Sequence, residues 1–236
     1  MSEVIERYTT AVGEHHRKQL GQFFTEARVA QFMVGWVTSG GKASLCDPAF
    51  GLGAFYSAAR AIGFQGMVYG LEIDNKVISF FRSTENQVDC SIDNVDYLHE
   101  WGMRHEAIVC NPPYMRFQKF EGRDRVFKNF ESRLGIRLSG YTNIASAFLV
   151  KSIFELADGG RLAYIMPLEF LNTGYGQLIK RLLLEQGTLR AIIRMECERE
   201  VFPDVTTSVG IILFEKTKSF NQIHFYIAHE VDHLDI

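Results

Sequence analysis

Features of secreted, membrane-spanning and metal-clustered proteins are scarce in this sequence. Only four cysteines occur, without CxxC spacing, and Cys46 and Cys110 lie in apolar runs where free thiols behave as small core residues. No apolar stretch approaches the roughly 18 to 20 residues that a membrane span requires, and the N-terminus lacks a basic region followed by an apolar one. We therefore expect a protein of the reducing cytoplasm with no membrane contact.

Excess positive charge and linker-like composition are lacking too. The 236 residues carry a formal net charge of -3 with a sequence pI near 6.2, so binding to nucleic acid would depend on a local patch. There are no internal repeats, low-complexity tracts or Pro/Ser-rich linkers, and 47% of the residues are hydrophobic, enough for one large core. A single domain is predicted.

Strand-like and helix-like segments alternate along the chain, which is typical of an α/β fold with a mainly parallel sheet. The predicted strands are 44–47, 67–74, 88–91, 107–110, 161–166, 190–195 and 208–215, followed by a strand-like run at 222–228. The predicted helices are 26–37, 54–61, 75–84, 144–157 and 176–186. Residues 196–207 are too few for a parallel crossover, so strand 208–215 should run antiparallel to its neighbour.

The helix predicted at 144–157 has a clear period. Apolar and small residues form one stripe, Lys151 and Glu155 fall outside it, and Gly159 and Gly160 are expected to end the helix. The pattern is typical of a helix that packs through one face.

The most informative segment is Asn111-Pro112-Pro113-Tyr114, which follows the apolar run 107–110 and so lies where a strand ends. Two prolines can neither continue a strand ladder nor begin a helix interior, so the loop is rigid and extended. It offers the Asn111 amide, the Pro112 carbonyl and the Tyr114 ring, a set that suits a planar ring carrying an exocyclic amine. A nucleobase is the obvious candidate.

Other predicted strand ends carry residues suited to a nucleotide. Residues 47–53 form a glycine loop before a helix, although they do not match GxGxxG and also fit a simple tight turn. Glu72 lies where a carboxylate commonly holds ribose hydroxyls, and equally could cap the next helix. Asp96 and Tyr97 suit an adenine amine and ring, or could be ordinary surface. Because carboxyl ends of parallel strands meet at one edge, we expect these residues to share a site.

Residues 115–139 depart from the average composition. This segment contains seven basic and three acidic side chains, a net charge of +4, interleaved with four phenylalanines. Its aromatics could pack while its charges are merely solvated, or its charges could contact phosphates beside the Asn-Pro-Pro-Tyr loop. The position of the segment favours contact with phosphates.

These motifs resemble the catalytic domain of gamma-class, N6-adenine-specific DNA methyltransferases, the modification enzymes of type II restriction systems. The resemblance covers nearly the whole length in the family's motif order. Residues 22–25 resemble the N-terminal cofactor motif, 147–149 a helix segment bordering the cofactor, and 159–167 the fifth-strand motif. Residues 201–203 and 208–214 resemble the late motif.

The resemblance implies S-adenosylmethionine as cofactor, with Thr25, Asp47 and Ala49 at its methionine end. The full set of expected cofactor-binding residues is Thr25, Asp47, Ala49, Gly51, Gly53, Glu72, Ile73, Asp96, Tyr97 and Phe148. The expected catalytic residues are Asn111, Pro112, Pro113, Tyr114 and Phe202, with Phe202 packing against an extruded base. No metal is required.

The implied fold is the Rossmann-like class I S-adenosylmethionine-dependent methyltransferase fold, a seven-stranded, mainly parallel sheet with an antiparallel last strand. Residues 1–236 would form one catalytic domain, with an N-terminal helical cofactor-motif region at 1–40 and the core sheet at 41–216. Family members normally carry a target-recognition domain after the last motif. We expect this target-recognition domain to be absent from this chain and to be supplied by a removed C-terminal part or by another subunit.

The implied reaction is methyl transfer to the exocyclic N6 of a flipped adenine in DNA, within a restriction-modification system. Release-factor glutamine N5-methyltransferases and ribosomal RNA guanine N2-methyltransferases are alternatives, because a glutamine amide offers the same NH2 geometry as adenine. A catalytically idle domain that binds only cofactor or a partner is a third. Residues 229–233 match HExxH but lack an evident third ligand or helical scaffold, so no metal site is expected there.

Overall fold

Strands from most of the chain assemble into one sheet. The computed structural model describes residues 6–10, 25–85, 89–120, 122–196, 208–218, 222–231 and 234. The strands within these residues are β1 Ser44–Asp47, β2 Met67–Glu72, β3 Ser91–Asn94, β4 His105–Cys110, β5 Leu156–Pro167, β6 Thr188–Met195, β7 Val209–Glu215 and β8 His224–Ala228. Their order in the sheet is β3-β2-β1-β4-β5-β7-β6-β8, and β7 alone among them runs opposite to its neighbours.

The strand order determines where a ligand can bind. The chain moves outward from β1 to β3 and then returns to β4 on the other side of β1, where Cys46 aligns with Ile108. At such a reversal the loops that follow the two central strands diverge and leave a crevice at their carboxyl ends. Asp47, which ends β1, and Asn111, which follows β4, therefore flank one crevice.

Helices cover both faces of the sheet. Beyond residue 25 they are α1 Ala27–Thr38, α2 Ala54–Ala61, α3 Asn75–Thr84, α4 Arg123–Leu134, α5 Ile144–Glu155 and α6 Gly176–Glu185, with 3-10 turns at Phe117–Lys119 and Leu168–Asn172. Side-chain caps set three of the starts: Glu26 accepts from the Arg28 amide at 2.7 Å, Asp74 from the Lys76 amide at 3.0 Å, and Asn143 from the Ser146 amide at 2.8 Å.

Two apolar cores lie on opposite sides of the sheet. Successive strand residues point to opposite faces, so Cys46 and Ile108 join the core beneath α4, α5 and α6, whereas Leu45 and Val109 join the core beneath α1, α2 and α3. Because both faces are covered, the central strands are apolar along their length.

The predicted fold class and the antiparallel pairing of 208–215 are confirmed. The run at 222–228 contains β8, an eighth strand that pairs in parallel with β6 at the edge of the sheet, so the antiparallel strand is β7 rather than the last one. The strand predicted at 88–91 was wrong in position, because β3 occupies Ser91–Asn94. Within β3 only Ile92 is buried, which leaves little apolar pattern to locate it.

The predicted end of α5 was also wrong. The helix stops at Glu155, and Gly159 and Gly160 lie inside β5. Lys216 Nζ donates to three carbonyls around the helix end at 2.7–3.1 Å, so the terminal acceptors are satisfied without a glycine cap. None of the helices in the described residues is both long and apolar enough to cross a bilayer.

Candidate active site

A cavity of about 460 Å³ opens at the carboxyl ends of the central strands. Most of the predicted site residues line it: Thr25, Asp47, Ala49, Gly51, Glu72, Ile73, Asp96, Tyr97, Asn111, Pro113 and Phe148. Gly53, Pro112 and Tyr114 lie outside this lining. The volume is within the range of small-molecule sites, and the walls combine apolar surface with a few polar groups.

Asp47 places a buried carboxyl at the end of β1. Its Oδ1 accepts from the Ala49 amide at 3.1 Å, whereas Oδ2 is buried and accepts no hydrogen bond from the described residues. Burial raises the pKa of Asp47 to about 8; the Ala49 amide opposes the rise and the nearby Glu72 carboxylate reinforces it. The site thus contains an acceptor that the described protein groups leave unsatisfied.

Glu72 ends β2 with its carboxylate fixed by backbone donors. Oε2 accepts from the Gly51 amide at 2.8 Å and Oε1 from the Asp74 amide at 2.9 Å. Burial raises the pKa of Glu72, while these two amides act in the opposite direction. The side chain therefore orders the glycine loop and still lines the cavity. Asp74 rather than Glu72 caps α3.

The two glycines of the loop have different roles. Both have positive φ, 55° for Gly51 and 74° for Gly53, which L side chains rarely adopt. Gly51 lines the cavity and donates to Glu72. At Gly53 a Cβ would lie 2.5 Å from the Phe81 ring, so this position permits close packing where α2 begins.

Asp96 and Tyr97 follow β3 and face the same cavity. Asp96 Oδ1 accepts from the Leu98 amide at 2.9 Å, and Oδ2 lies 2.8 Å from His99 Nδ1. Tyr97 is 2% exposed, its hydroxyl lies 2.8 Å from Ser152 Oγ, and its ring centroid is 5.0 Å from that of Phe148. An oriented carboxylate and an aromatic wall thus adjoin each other.

The Asn-Pro-Pro-Tyr loop is tied to the start of the fold. Asn111 Nδ2 donates to Thr25 Oγ1 at 3.1 Å, and Thr25 is 3% exposed. This contact brings residues 86 positions apart into one wall of the cavity. The Tyr114 hydroxyl is buried, and burial raises the pKa of Tyr114 well above its usual range.

Some predicted residues lie outside the described part of the chain. These are Phe202 with the rest of 201–203, and residues 22–24 of the N-terminal motif. In the HExxH match, His229 Nδ1 lies 2.7 Å from Glu196 Oε2, and residues 232 and 233 are outside the described part. No group of three or more potential metal ligands occurs among the residues that the structure describes.

Sequence reasoning missed His99, Lys151 and Glu155. His99 contacts Asp96, and Lys151 and Glu155 are 0% and 5% exposed beneath Tyr97. The apolar stripe of α5 placed Lys151 and Glu155 outside the packed face, which was wrong because α5 is buried on nearly every side. An opposite-charge pair four residues apart in an otherwise apolar helix is the signal that could have identified them.

Residues 1–234 match the N-6 DNA methylase family, which is almost the whole chain. The chain belongs to this family. It is 35% identical over 229 residues to the type II methyltransferase M.AccI of Acinetobacter calcoaceticus, covering 94% of this chain and 42% of that protein. It is 28% identical over 211 residues to M.HincII of Haemophilus influenzae, covering 89% of this chain and 40% of that protein. The chain thus spans less than half the length of these curated relatives.

The fold is shared with a solved structure assigned as a class I S-adenosylmethionine-dependent methyltransferase from Listeria monocytogenes. The TM-score is 0.74 at 16% sequence identity, with 95% of this chain and 71% of that chain covered. At this identity the likeness concerns the fold alone. Family and fold together support S-adenosylmethionine as the cofactor.

Proposed function

We propose that the chain is the catalytic domain of a restriction-modification methylase that transfers a methyl group from S-adenosylmethionine to the N6 of adenine in DNA. The observation that carries this proposal is the position of Asn111, in the same cavity wall as Thr25 and the strand-end carboxylates Asp47 and Glu72. An amide acceptor in a cavity lined by carboxylates and aromatic rings suits an exocyclic amine. Family membership supports DNA as the substrate.

The cavity residues fit the proposed cofactor. Asp47 would release its proton when a cationic amino group binds, and its buried Oδ2 would then accept from that group. The Glu72 carboxylate, already oriented by two amides, suits a ribose diol. Tyr97 and Phe148 supply aromatic surface for adenine, beside Asp96 and the exposed Ile73. When bound, S-adenosylmethionine supplies a methyl group made electrophilic by its sulfonium.

The protein groups act on the acceptor amine. The nitrogen of an adenine amine is a poor nucleophile because its lone pair is delocalised into the ring. Hydrogen bonds from its two N-H groups to the Asn111 side-chain oxygen and the Pro112 carbonyl favour a more tetrahedral nitrogen and spread its developing positive charge. Neither oxygen is a strong base, so their role is to orient and polarise the amine, and the excess proton leaves to solvent.

The target base has to leave the DNA stack to reach this loop. Tyr114, at the end of the rigid loop, and Phe202 would replace the lost stacking, each aromatic contact contributing about 1 to 3 kcal/mol. The Tyr114 hydroxyl is buried, and the side chain packs against the core beneath α1, α2 and α3. The alternative acceptors, a glutamine amide or a guanine in ribosomal RNA, are not favoured by the family match.

The basic segment 115–139 would contact DNA phosphates. Two of its phenylalanines are structural, because Phe117 and Phe130 are fully buried in the core beneath α4. Its charges remain outside: the exposed basic residues of α4 include Arg123, Arg125 and Lys128. Their exposure leaves these charges accessible to a DNA backbone, as the proposal requires. Recognition of a particular DNA sequence would belong to another domain or subunit.

Replacing Asn111 by alanine tests the proposal. We expect Asn111→Ala to reduce single-turnover methyl transfer to an adenine-containing oligonucleotide at least a hundred-fold, as for loss of one charge-stabilising group. Binding of S-adenosylhomocysteine, measured by calorimetry, should stay within about three-fold. The exposed Asn172, in the 3-10 turn Leu168–Asn172, supplies the control variant Asn172→Ala, which should retain activity. Methyl transfer by Asn111→Ala at the wild-type rate would overturn the assignment.

Adenine-free oligonucleotides, a glutamine peptide and ribosomal RNA fragments should not be methylated by the wild-type chain. Transfer to the peptide or the RNA, without transfer to DNA, would replace the proposed acceptor. Cofactor binding without transfer to any acceptor would identify the chain as an idle domain.

A further inference from the structure

Helix α5 buries four polar residues, and three of them, Lys151, Ser152 and Glu155, lie close to Tyr97. Lys151 and Ser152 are 0% exposed and Glu155 is 5% exposed. Burying a lysine and a glutamate costs free energy that their mutual attraction often fails to recover, and apolar residues of similar volume frequently serve packing as well or better. The pair is therefore not explained by the packing of α5 alone.

The two charges are held beneath an aromatic ring of the cavity wall. Lys151 Nζ lies 2.6 Å from Glu155 Oε2 and 3.6 Å from the centroid of the Tyr97 ring. The Trp101 ring lies farther from the same ammonium, at 5.0 Å. A cation over the face of a ring at this distance is attracted by the ring quadrupole, more strongly where water is excluded.

Both members of the pair act on Tyr97: the Lys151 ammonium lies over the ring face, and the Glu155 carboxylate adds to the rise that burial causes in the pKa of the Tyr97 hydroxyl. Burial lowers the pKa of Lys151 to about 8, while Glu155 opposes that shift, so the amine stays protonated at pH 7. Burial lowers the pKa of the neighbouring His105 to about 4, and the ring of His105 is therefore neutral. Burial raises the pKa of the Cys46 thiol well above its usual range, which leaves it neutral as well.

Tyr97 separates this charge from the ligand. The ring lines the cavity, whereas Lys151 is fully buried and does not reach it. The Tyr97 hydroxyl lies 2.8 Å from Ser152 Oγ, which in turn lies 2.5 Å from the Tyr164 hydroxyl, so the edge of the ring is anchored too. Helix α5 thus holds the Tyr97 ring through a hydrogen bond at one edge and an ammonium over one face.

We infer that Lys151, fixed by Glu155, is a positioning residue that sets the affinity of the cavity for adenine through the Tyr97 ring. This inference rests on the proposed cofactor. A cation over one face draws π-electron density towards itself, so the rest of the ring presents a less negative surface to a ligand ring. Adenine, itself rich in π electrons, then contacts the wall more favourably. The ammonium also prevents the ring from tilting into the cavity.

The test uses calorimetry on the full chain with two ligands, S-adenosylhomocysteine and 5′-methylthioadenosine, which share adenosine but differ at the amino-acid end. Lys151→Met removes the charge and keeps the length of the side chain. The double variant Lys151→Met/Glu155→Gln also removes the charge that would otherwise be left unpaired. We expect both to raise Kd about ten-fold for both ligands. Melting temperature without ligand reports stability separately.

Two controls separate positioning from general destabilisation. Lys216→Met removes another lysine that supports α5, at its end and away from the cavity, and should lower the melting temperature with little change in Kd. Tyr97→Phe keeps the ring and should retain most of the affinity. In a Tyr97→Leu background, Lys151→Met should cause no further loss, because the ring that transmits the effect is gone.

Wild-type affinity in the double variant Lys151→Met/Glu155→Gln would overturn the inference. It would also be overturned if Lys151→Met reduced affinity equally in the wild-type and Tyr97→Leu backgrounds. A wild-type chain that bound neither ligand would instead overturn the cofactor assignment, and this inference with it. The two failures are therefore distinguishable by the wild-type titration.

Discussion

Replacing Asp47 by asparagine should remove a pH dependence from the stability of the chain. Burial raises the pKa of Asp47 from 3.8 to about 8, a rise that the Ala49 amide opposes and the Glu72 carboxylate reinforces. At pH 7 the folded chain therefore keeps a proton on Asp47 that the unfolded chain has released. Unfolding at this pH releases that proton.

The size of the effect comes from this difference in bound protons. Because the pKa is raised in the folded state, the neutral carboxyl favours folding at low pH, and this contribution is lost as pH rises from about 4 to about 8. The slope within that window is about -1.4 kcal/mol per pH unit for one proton. Between pH 5 and pH 7 the wild-type chain should thus lose about 2.5 kcal/mol through Asp47. Asparagine does not titrate, so the free energy of unfolding of Asp47→Asn should fall by about 2.5 kcal/mol less than that of the wild-type chain between pH 5 and pH 7.

Urea unfolding of the ligand-free chain at pH 5, 6 and 7, followed by far-ultraviolet circular dichroism, measures this difference. Any constant effect of the asparagine amide cancels, because only the change with pH is compared. Asp93→Asn, which replaces an exposed carboxylate in β3, is the matched control and should follow the wild-type slope. Equal losses in the wild-type chain and Asp47→Asn would refute the reasoning and show that Asp47 is ionised in the folded protein at pH 7.

Three further predictions concern packing, the cofactor and DNA. Gly70→Ala should lower the free energy of unfolding, measured with urea, by about 1 to 3 kcal/mol, because a Cβ there would lie 2.3 Å from the Phe50 ring. An unchanged urea midpoint would mean that the ring moves aside at no cost. Glu72→Gln should weaken S-adenosylhomocysteine binding about ten-fold by calorimetry and also lower stability, because a glutamine oxygen can accept from only one of the Gly51 and Asp74 amides. Unchanged binding would argue against a ribose contact. Replacing three exposed basic residues of α4 by serine should weaken the salt dependence of DNA binding. The slope of log Kd against log salt concentration, measured with a fluorescent oligonucleotide, should fall by about 2 to 3. An unchanged slope would show that these charges do not contact phosphates. The residues changed are Arg123, Arg125 and Lys128.

The parts of the fold that the sequence predicts well are those in which a local signal and the tertiary environment agree. Strand β1 and helices α2 and α3 have the predicted bounds. Strand β1 is an apolar run followed by glycines and is also buried in the fold, and helix α3 begins after Asp74, which caps it. In both elements the local sequence and the packing favour the same structure. The strand ends follow from the same signals, which is why most of the cavity lining could be predicted.

The rest depends on contacts between distant residues. The periodicity of α5 can assign Lys151 and Glu155 to a face, but only the packed structure places the Tyr97 ring over the ammonium and buries the pair. Lys216, 61 positions beyond Glu155, supports the end of α5 in place of the expected glycines. Helix α4 was not predicted as a helix, because its buried residues are few and its charges many.

The hydrogen bond between Asn111 and Thr25 limits what the catalytic loop can recognise. An amide has one donor end and one acceptor end, and Thr25 engages the donor end at 3.1 Å. Asn111 is thereby oriented to accept with its oxygen, so it selects for an amine over a carbonyl at the edge of the incoming ring. Since Thr25 also lines the cavity, one wall would orient both reactants of the proposed transfer. Under the proposed function such a wall would select the atom that is methylated. Every adenine presents the same amine, so the choice among adenines would have to come from contacts outside this wall.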